Sequence, residues 1–366
     1  MAISTLVKNM GKSEIVGEFF KHGHLLTDEA LDIIEKSSAE EFLVRKLPFI
    51  VDSRDLRQPY KILMNLTYKK SEITREDFVK FYGSKYEKMK QIIISRVQKN
   101  FISLNKIDST RSEVHVIGIV KEIRNNEKKT VELEDTTSTI PVIFEEIDDL
   151  ELDDVVAIKA VAGGKVLFGK KIIYPDIPLR DPTIGTGKAC FVSDLCLDES
   201  SPKDIETFFE WFSQQDIQYL FVSGKIGDRK LFGTYVDRYC YMKTVFVIAD
   251  GSEYPNMPQT YESNKIVSLS NPAMVELGGL KILMCQKADI KMLKKRYLGK
   301  SSVILDEDYL VLTEVPDVVH CGNSDQPYIT NYKSVTLVNS GSLLGEFKPI
   351  IVDFATRDVE KISLPQ

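Results

Sequence analysis

The side chains in this 366-residue chain that could do hydrolytic or metal chemistry are few and unevenly placed. Five cysteines, Cys190, Cys196, Cys240, Cys285 and Cys321, all lie in the C-terminal half, and none forms a C-x-x-C pair. An odd count without paired spacing argues against a disulfide framework. Of the four histidines, His22, His24, His115 and His320, only His320 lies in the same half as the cysteines. Thiolates, imidazoles and carboxylates bind zinc, so Asp194, Cys196, Cys285, His320, Cys321 and Asp325 are candidate ligands. Their spacing does not follow a structural zinc pattern, and buried cysteine more often serves as a small apolar filler. Gly185-Thr186-Gly187-Lys188 lacks the first glycine spacing and the following Ser or Thr of a phosphate-binding loop, and Ser340 sits in no nucleophile elbow.

The elements that must position these groups follow from pattern. At about 150 residues per domain the length gives two or three domains, and 43% hydrophobic with 28% charged residues supplies enough apolar material for packed cores. No run of about 18 uncharged apolar residues exists, and the N-terminal residues lack the order of a secretion signal, so a cytosolic protein is expected. Residues 13–36 carry Ile15, Val16, Phe19, Phe20, Leu25, Leu26, Ala30, Leu31, Ile33 and Ile34 at helical spacing around Gly23, which predicts a small helix–turn–helix unit. Residues 46–75, with Pro48 and Pro59, read as a connector, and Glu76 to Leu104 as a helix. Lys80, Lys85, Lys88, Lys90, Arg96 and Lys99 within it predict a solvated face rather than a phosphate contact. Alternation then takes over at 114–120, 130–135, 140–144, 155–161 and 165–173. Five short strands with intervening turns fit a Greek-key barrel of the oligonucleotide/oligosaccharide-binding type. Its few aromatics, Phe144, Phe168 and Tyr174, stand in a sequence rich in Asp and Glu, which favours docking of protein over stacking of bases. Pro175-Asp176-Ile177-Pro178 reads as an inter-domain joint. Beyond it, buried-strand runs alternate with loops and helices, the pattern of an α/β sandwich with its chemistry at strand ends.

This order of elements, with Asp194 after its strand, Leu133-Glu134-Asp135 in the barrel, Ser270-Asn271-Pro272, Glu314-Val315-Pro316-Asp317-Val318-Val319-His320-Cys321-Gly322 and Val338-Asn339-Ser340-Gly341-Ser342, resembles the small subunits of archaeal family-D DNA polymerases and the related B-subunits. The resemblance covers nearly the whole chain. It implies a multidomain α+β fold: an N-terminal helical unit (1–45), a connector and helix (46–107), an OB-fold barrel (108–175) and a calcineurin-like phosphoesterase α/β sandwich (186–366). It also implies a two-metal, usually manganese, 3′-to-5′ exonuclease site, which needs a bridging carboxylate and neutral imidazoles at strand ends.

Matched residue by residue, that site is degenerate. The family's D-x-H becomes Asp194-Leu195-Cys196, and its G-D-x-x-D becomes Gly224-Lys225-Ile226-Gly227-Asp228, with Lys225 in place of the bridging aspartate. G-N-H-D/E falls at Asp250-Gly251-Ser252-Glu253, a further histidine at Cys285, and G-H-x-H at Gly322-Asn323-Ser324-Asp325. An ammonium repels metal ions, and Lys225 is expected to pair with Asp194 or Asp325. The expectation is therefore a non-catalytic accessory subunit, without a cofactor of its own, that scaffolds a large catalytic polymerase subunit, meets DNA through the holoenzyme and acts in the cytoplasm at the nucleoid. Further replication factors, the sliding clamp among them, are candidate partners: Val16 before Phe19-Phe20 loosely resembles a clamp-binding peptide, although a packed helix fits these residues better. The net charge of −6, uneven between a basic N-terminal part and an acidic remainder, argues against a free nucleic-acid-binding protein. The alternative is an active exonuclease with remodelled manganese or zinc ligands.

Overall fold

The alternating apolar residues between 113 and 173 close on themselves. The computed structural model describes residues 11–35, 42–43, 47, 49–52, 60–68, 72–125, 129–147, 149–251 and 253–364, in two units, Met1–Lys61 and Ile62–Gln366. Pro48 and Pro59 of the expected connector lie outside the described residues.

In the first unit, α1 (Lys12–Lys21) and α2 (Asp28–Glu35) flank β1 (Leu25–Leu26), which pairs in parallel with β2 (Ile50–Val51). Ile15, Phe19, Ala30, Ile34 and Val51 form its core. Gly23, at φ +83°, lets the chain turn out of α1 where a side chain would be strained. Phe19 of the clamp-like segment is buried and Phe20 is exposed, so the segment is a packed helix with one free aromatic.

β3 (Tyr60–Asn65), a strand where the sequence predicted connector, runs across the boundary into the second unit, where α3 (Arg75–Arg96) follows. Thr74 caps α3, accepting from the Asp77 N–H while the Asp77 carboxylate accepts from the Thr74 N–H. The barrel strands are β4 (Glu113–Asn125), β5 (Lys129–Glu134), β6 (Thr139–Phe144), β7 (Val155–Ala162) and β8 (Leu167–Ile173), closed in the order β4-β5-β6-β8-β7. β4 is longer than alternation suggested because it serves two partners: its first half pairs with β7, its second with β5, and a bulge between Val120 and Glu122 bends it between them. Val116, Val131, Leu133, Val142, Ile158 and Leu167 fill the interior.

Together with β3, the remaining chain builds two six-stranded sheets. Its elements are β9 (Lys188–Ser193), α4 (Pro202–Gln214), β10 (Tyr219–Ser223), α5 (Arg229–Tyr239), β11 (Thr244–Ile248), β12 (Ile266–Leu269), β13 (Ala273–Leu277), β14 (Leu280–Cys285), α6 (Ile290–Lys295), β15 (Val318–Cys321), β16 (Pro327–Tyr332), β17 (Val335–Ser340), β18 (Ile350–Asp353) and β19 (Val359–Lys361). One sheet runs β12-β11-β10-β9-β18-β19 and the other β16-β17-β15-β14-β13-β3. The central strands of each are parallel and apolar on both faces, as a sheet covered on both sides requires. Phe191, Phe221 and Phe246 stack along one face at 5.0 and 4.7 Å, and Phe191 meets His320 of the other sheet edge-on at 5.2 Å. On the opposite face of the first sheet, Phe208, Phe209 and Phe212 of α4 pack with Phe232 and Val236 of α5. Parallel direction brings the C-terminal ends of β9, β10, β11, β14 and β15 to common edges, where their loops gather.

Charge joins these parts. The basic residues in and after α3 form a solvated face only in part: Lys80, Arg96 and Lys99 are exposed, but Lys85 is buried with its ammonium 3.8 Å from the centre of the Tyr297 ring, and Lys88 donates to the Asp308 carbonyl and pairs with Glu307 at 3.2 Å. Arg96 donates to the Tyr174 carbonyl at 3.2 Å. The acids of 149–154 after β6 are likewise paired within the chain. Asp149 pairs with Lys291 and Lys294, Asp153 with Lys300, and Lys295 with both Glu151 and Asp154 at 2.7 and 2.8 Å. The joint after β8 is pinned by Lys333 to Asp176 and by Arg180 to Asp317, both at 2.6 Å.

Lys295→Ala leaves Asp154 mostly buried without its cation. Burial already holds the Asp154 carboxyl above the ordinary 3.8, and losing Lys295 raises it further. A carboxyl raised on folding weakens the fold as pH climbs through and beyond its ordinary range. The variant is expected to lose about 2–3 kcal/mol at neutral pH and far less near pH 4, as read by urea unfolding at both values.

Candidate functional site

Asp194 follows β9 in the left-handed region, at φ +50°, and is buried. Its backbone N–H donates to the Ser223 carbonyl at 3.0 Å, which ties it to the end of β10. Its carboxylate accepts the Lys225 N–H at 2.8 Å and the Asn323 N–H at 2.6 Å, with the Ser324 N–H adding a further backbone contact. Burial pushes this carboxyl above its ordinary value, against the pull of those donors, and the neighbouring Asp250 adds to the upward push. Two glycines permit the enclosure. A Cβ on Gly224, at φ +76°, would collide with the Asp194 carboxylate, and one on Gly322 would lie 2.5 Å from the Gly224 Cα. The anion is thus answered by oriented peptide dipoles.

Lys225 supplies only its backbone to this arrangement. Its side chain turns outward, 45% exposed, and pairs with Glu199. The expected pairing with Asp194 or Asp325 is therefore corrected: Asp194 already has N–H donors, so the ammonium avoids desolvation by remaining in solvent with an equally exposed partner. Asp228 caps α5, accepting from the Lys230 and Leu231 N–H groups at 2.9 Å each. Gly251 is at φ +133° against the Asn256 side chain, and its carbonyl accepts from the Asn271 amide at 3.0 Å. Ser252 lies outside the described residues.

The remaining candidate side chains do not join Asp194 in a ligand set. The Cys196 thiol is buried and pushed up to about 11 by desolvation and by the Asp194 charge, so it is neutral at physiological pH. Cys285 and Cys321 are register partners on β14 and β15 within an apolar cluster. Cys285 donates to the Lys287 carbonyl at 3.2 Å, and the Cys321 sulfur lies 2.9 Å from the Tyr328 hydroxyl. Burial raises both thiols. His320 sits between the sheets with Nδ1 2.9 Å from the Ser223 hydroxyl, and burial lowers its pKa to about 3, which keeps it neutral. Asn323 and Asp325 have exposed side chains. Among the described residues, no group of three His, Cys, Asp or Glu side chains is placed to hold a metal ion. The donors present do not fit a two-cation site.

Sequence reasoning missed the groups that do the local work: Glu199 opposite Lys225, the backbone of 323–324, and Asn339. The Asn339 amide donates to the Cys321 and Gly322 carbonyls at 2.9 and 3.0 Å, holding the loop that reaches Asp194. Glycine directly after two strands, Gly224 and Gly322, was the available signal of a close backbone approach. A cleft of about 380 Å³ borders the loop that reaches Asp194 and is lined by Lys287, Ala288, Met292, Leu298, Asn323 and Tyr328.

The architecture is that of a mixed α/β protein in which a closed five-stranded barrel accompanies a layered two-sheet domain with its candidate site at strand ends. Solved structures similar to part of it include a novel archaeal phosphodiesterase, 15% identical over 48% of this chain and 99% of that one with a TM-score of 0.32, and Chaetomium thermophilum Vps29, 16% identical over 49% and 100% with a TM-score of 0.31. No family model matches the chain. In sequence it is a homologue, over most of its length, of archaeal proteins named DNA polymerase II small subunit. It is 25% identical to that of Archaeoglobus fulgidus across 92% of both chains. It is 24% identical to that of Methanothermobacter thermautotrophicus across 87% of this chain and 83% of the relative, and 24% identical to that of Thermoplasma acidophilum across 92% and 87%. No helix among the described residues is long and apolar enough to cross a membrane.

Asp194→Ala strips the acceptor from the Lys225 and Asn323 N–H groups. It is expected to lower stability by about 2–3 kcal/mol in denaturant titrations without added metal. A carboxylate kept only to bind metal would leave stability unchanged or raised when removed.

Proposed function

We propose that this chain is the accessory small subunit of an archaeal family-D type DNA polymerase, that it scaffolds a large catalytic subunit and meets DNA within that holoenzyme, and that its own phosphodiester-cleaving site is inactive. The cytoplasm, at the nucleoid, is where such an assembly acts; the sliding clamp and other replication factors are further candidate partners. Homology to small subunits over nearly the full length of both chains supports the assembly role. The loss of catalysis rests on one observation above the rest: the carboxylate at the end of β9 has spent its oxygens on backbone N–H groups. Hydrolysis by two metal ions requires a carboxylate free to ligate and a shared hydroxide between the cations. The neutral Cys196, the outward Lys225 and the core positions of Cys285, Cys321 and His320 provide no replacement set.

The test is reconstitution with the large subunit from the same organism. Co-purification as a stable complex is expected, and the purified small subunit is expected to release no nucleotide from a 3′-mismatched primer with manganese, magnesium or zinc. Metal-dependent digestion abolished by Asp194→Ala would replace this reading with that of an active proofreader, and failure to associate would remove the scaffold role.

A further inference from the structure

Two thiols come together in the second sheet, and the arrangement around Asp194 makes no use of them. Cys285 ends β14 and Cys321 ends β15, and they are register partners on adjacent parallel strands, whose backbones stand about 4.8 Å apart. In-register residues of neighbouring strands project to the same face. His320, one position before Cys321, sits between the sheets against Ser223. Cys321 therefore faces the other way, into the cluster that also holds Cys285, Met274 and Met292. Both cysteines are free and fully buried.

A cysteine serving only as filler needs no polar neighbour, yet both of these have them. The Cys285 sulfur donates to the Lys287 carbonyl at 3.2 Å and is in hydrogen-bond reach of the Tyr254 hydroxyl. The Cys321 sulfur lies 2.9 Å from the Tyr328 hydroxyl and is also met by the Asn339 amide and the Ala288 N–H. Burial raises both thiols, and for Cys321 the Asp194 charge adds to the rise, but each of these four donors acts in the opposite direction by favouring the thiolate. Outer hydrogen bonds of this kind orient and stabilise metal-bound ligands. The cleft of about 380 Å³ supplies the path from solvent: Lys287, Ala288 and Tyr328 line it, and each of them touches one of the two sulfurs.

We propose that Cys285 and Cys321 form a two-coordinate site for a soft monovalent cation, copper(I). Thiolates select this ion, and two sulfurs satisfy it. Zinc requires four ligands, and among the described residues no third His, Cys, Asp or Glu joins the pair. On binding, each S–H bond breaks as a copper–sulfur bond forms, both protons leave through the cleft to water, and no electron is transferred. The bound ion ties the end of β14 to the end of β15, directly before the Gly322–Asn323 turn that reaches Asp194. This site goes beyond the small-subunit reading and does not draw on the Asp194 carboxylate.

The full chain, reduced and free of oxygen, is titrated with the coloured copper(I)–bicinchoninate complex. Withdrawal of one copper per chain is expected, with X-ray absorption reporting sulfur ligands alone. Cys285→Ser and Cys321→Ser are each expected to abolish the withdrawal, while Cys190→Ala, Cys196→Ala and Cys240→Ala retain it. Tyr328→Phe, which removes an outer hydrogen bond, is expected to weaken binding about tenfold. Affinity should rise by about two decades per pH unit as two protons are released. Circular dichroism of each variant checks the fold, and Cys285→Ala and Cys321→Ala, which keep the apolar packing, carry the same expectation as the serine variants. Equal withdrawal by the Cys285→Ala/Cys321→Ala double variant, nitrogen or oxygen ligands in the absorption spectrum, or no withdrawal by the unaltered chain overturns the proposal. So does a mass lower by two hydrogens with no copper retained, which would assign the pair to a disulfide.

Discussion

A carboxylate taken out of water must be met by something positive, and in this protein the backbone meets it. Asp194 draws N–H groups from the end of β10 and from the loop after β15, and the two sheets must be in register across their interface for both to arrive. That requirement explains neighbouring features that look unrelated in sequence. Gly224 and Gly322 leave room for the enclosure, and Asn339 braces the loop that supplies the second donor. The left-handed conformations of Asp194, Cys196 and Asn323 follow the tight turns of the strand ends. Such strained positions persist only where the surroundings over-determine them.

Lys225 takes its place in the same picture. An ammonium standing where a bridging anion was expected looked like the source of the altered chemistry, as a cation within the pocket. Its exposed position beside Glu199 removes that role. The Asp194 site is balanced by dipoles, so a buried counter-ion would add desolvation cost without a matching gain.

Much of the architecture was legible because it depends on local pattern. Alternation located all five barrel strands, and the aromatic spacing of 202–214 located α4. Partners distant in sequence were not legible. Lys85 and Lys88 of α3 read as solvent-facing because their partners Tyr297, Glu307 and Asp308 lie more than two hundred positions away. The acids of 149–154 read as a free negative surface because their lysines lie in and after α6. β3 escaped notice because an edge strand needs only a short apolar run, here Ile62-Leu63-Met64. For the candidate site, the scarcity of histidine was visible in composition, while the capture of Asp194 by backbone was not, since peptide N–H groups leave no mark on residue type.

Anomalous diffraction at the manganese edge, from crystals of the full chain grown with excess manganese, tests the central claim most directly. The account predicts no pair of peaks at the ends of β9 and β10 and an Asp194 carboxylate still bound to the Lys225 and Asn323 N–H groups. Two peaks about 3.5–4 Å apart, with Asp194 turned away from those donors to ligate them, would contradict it.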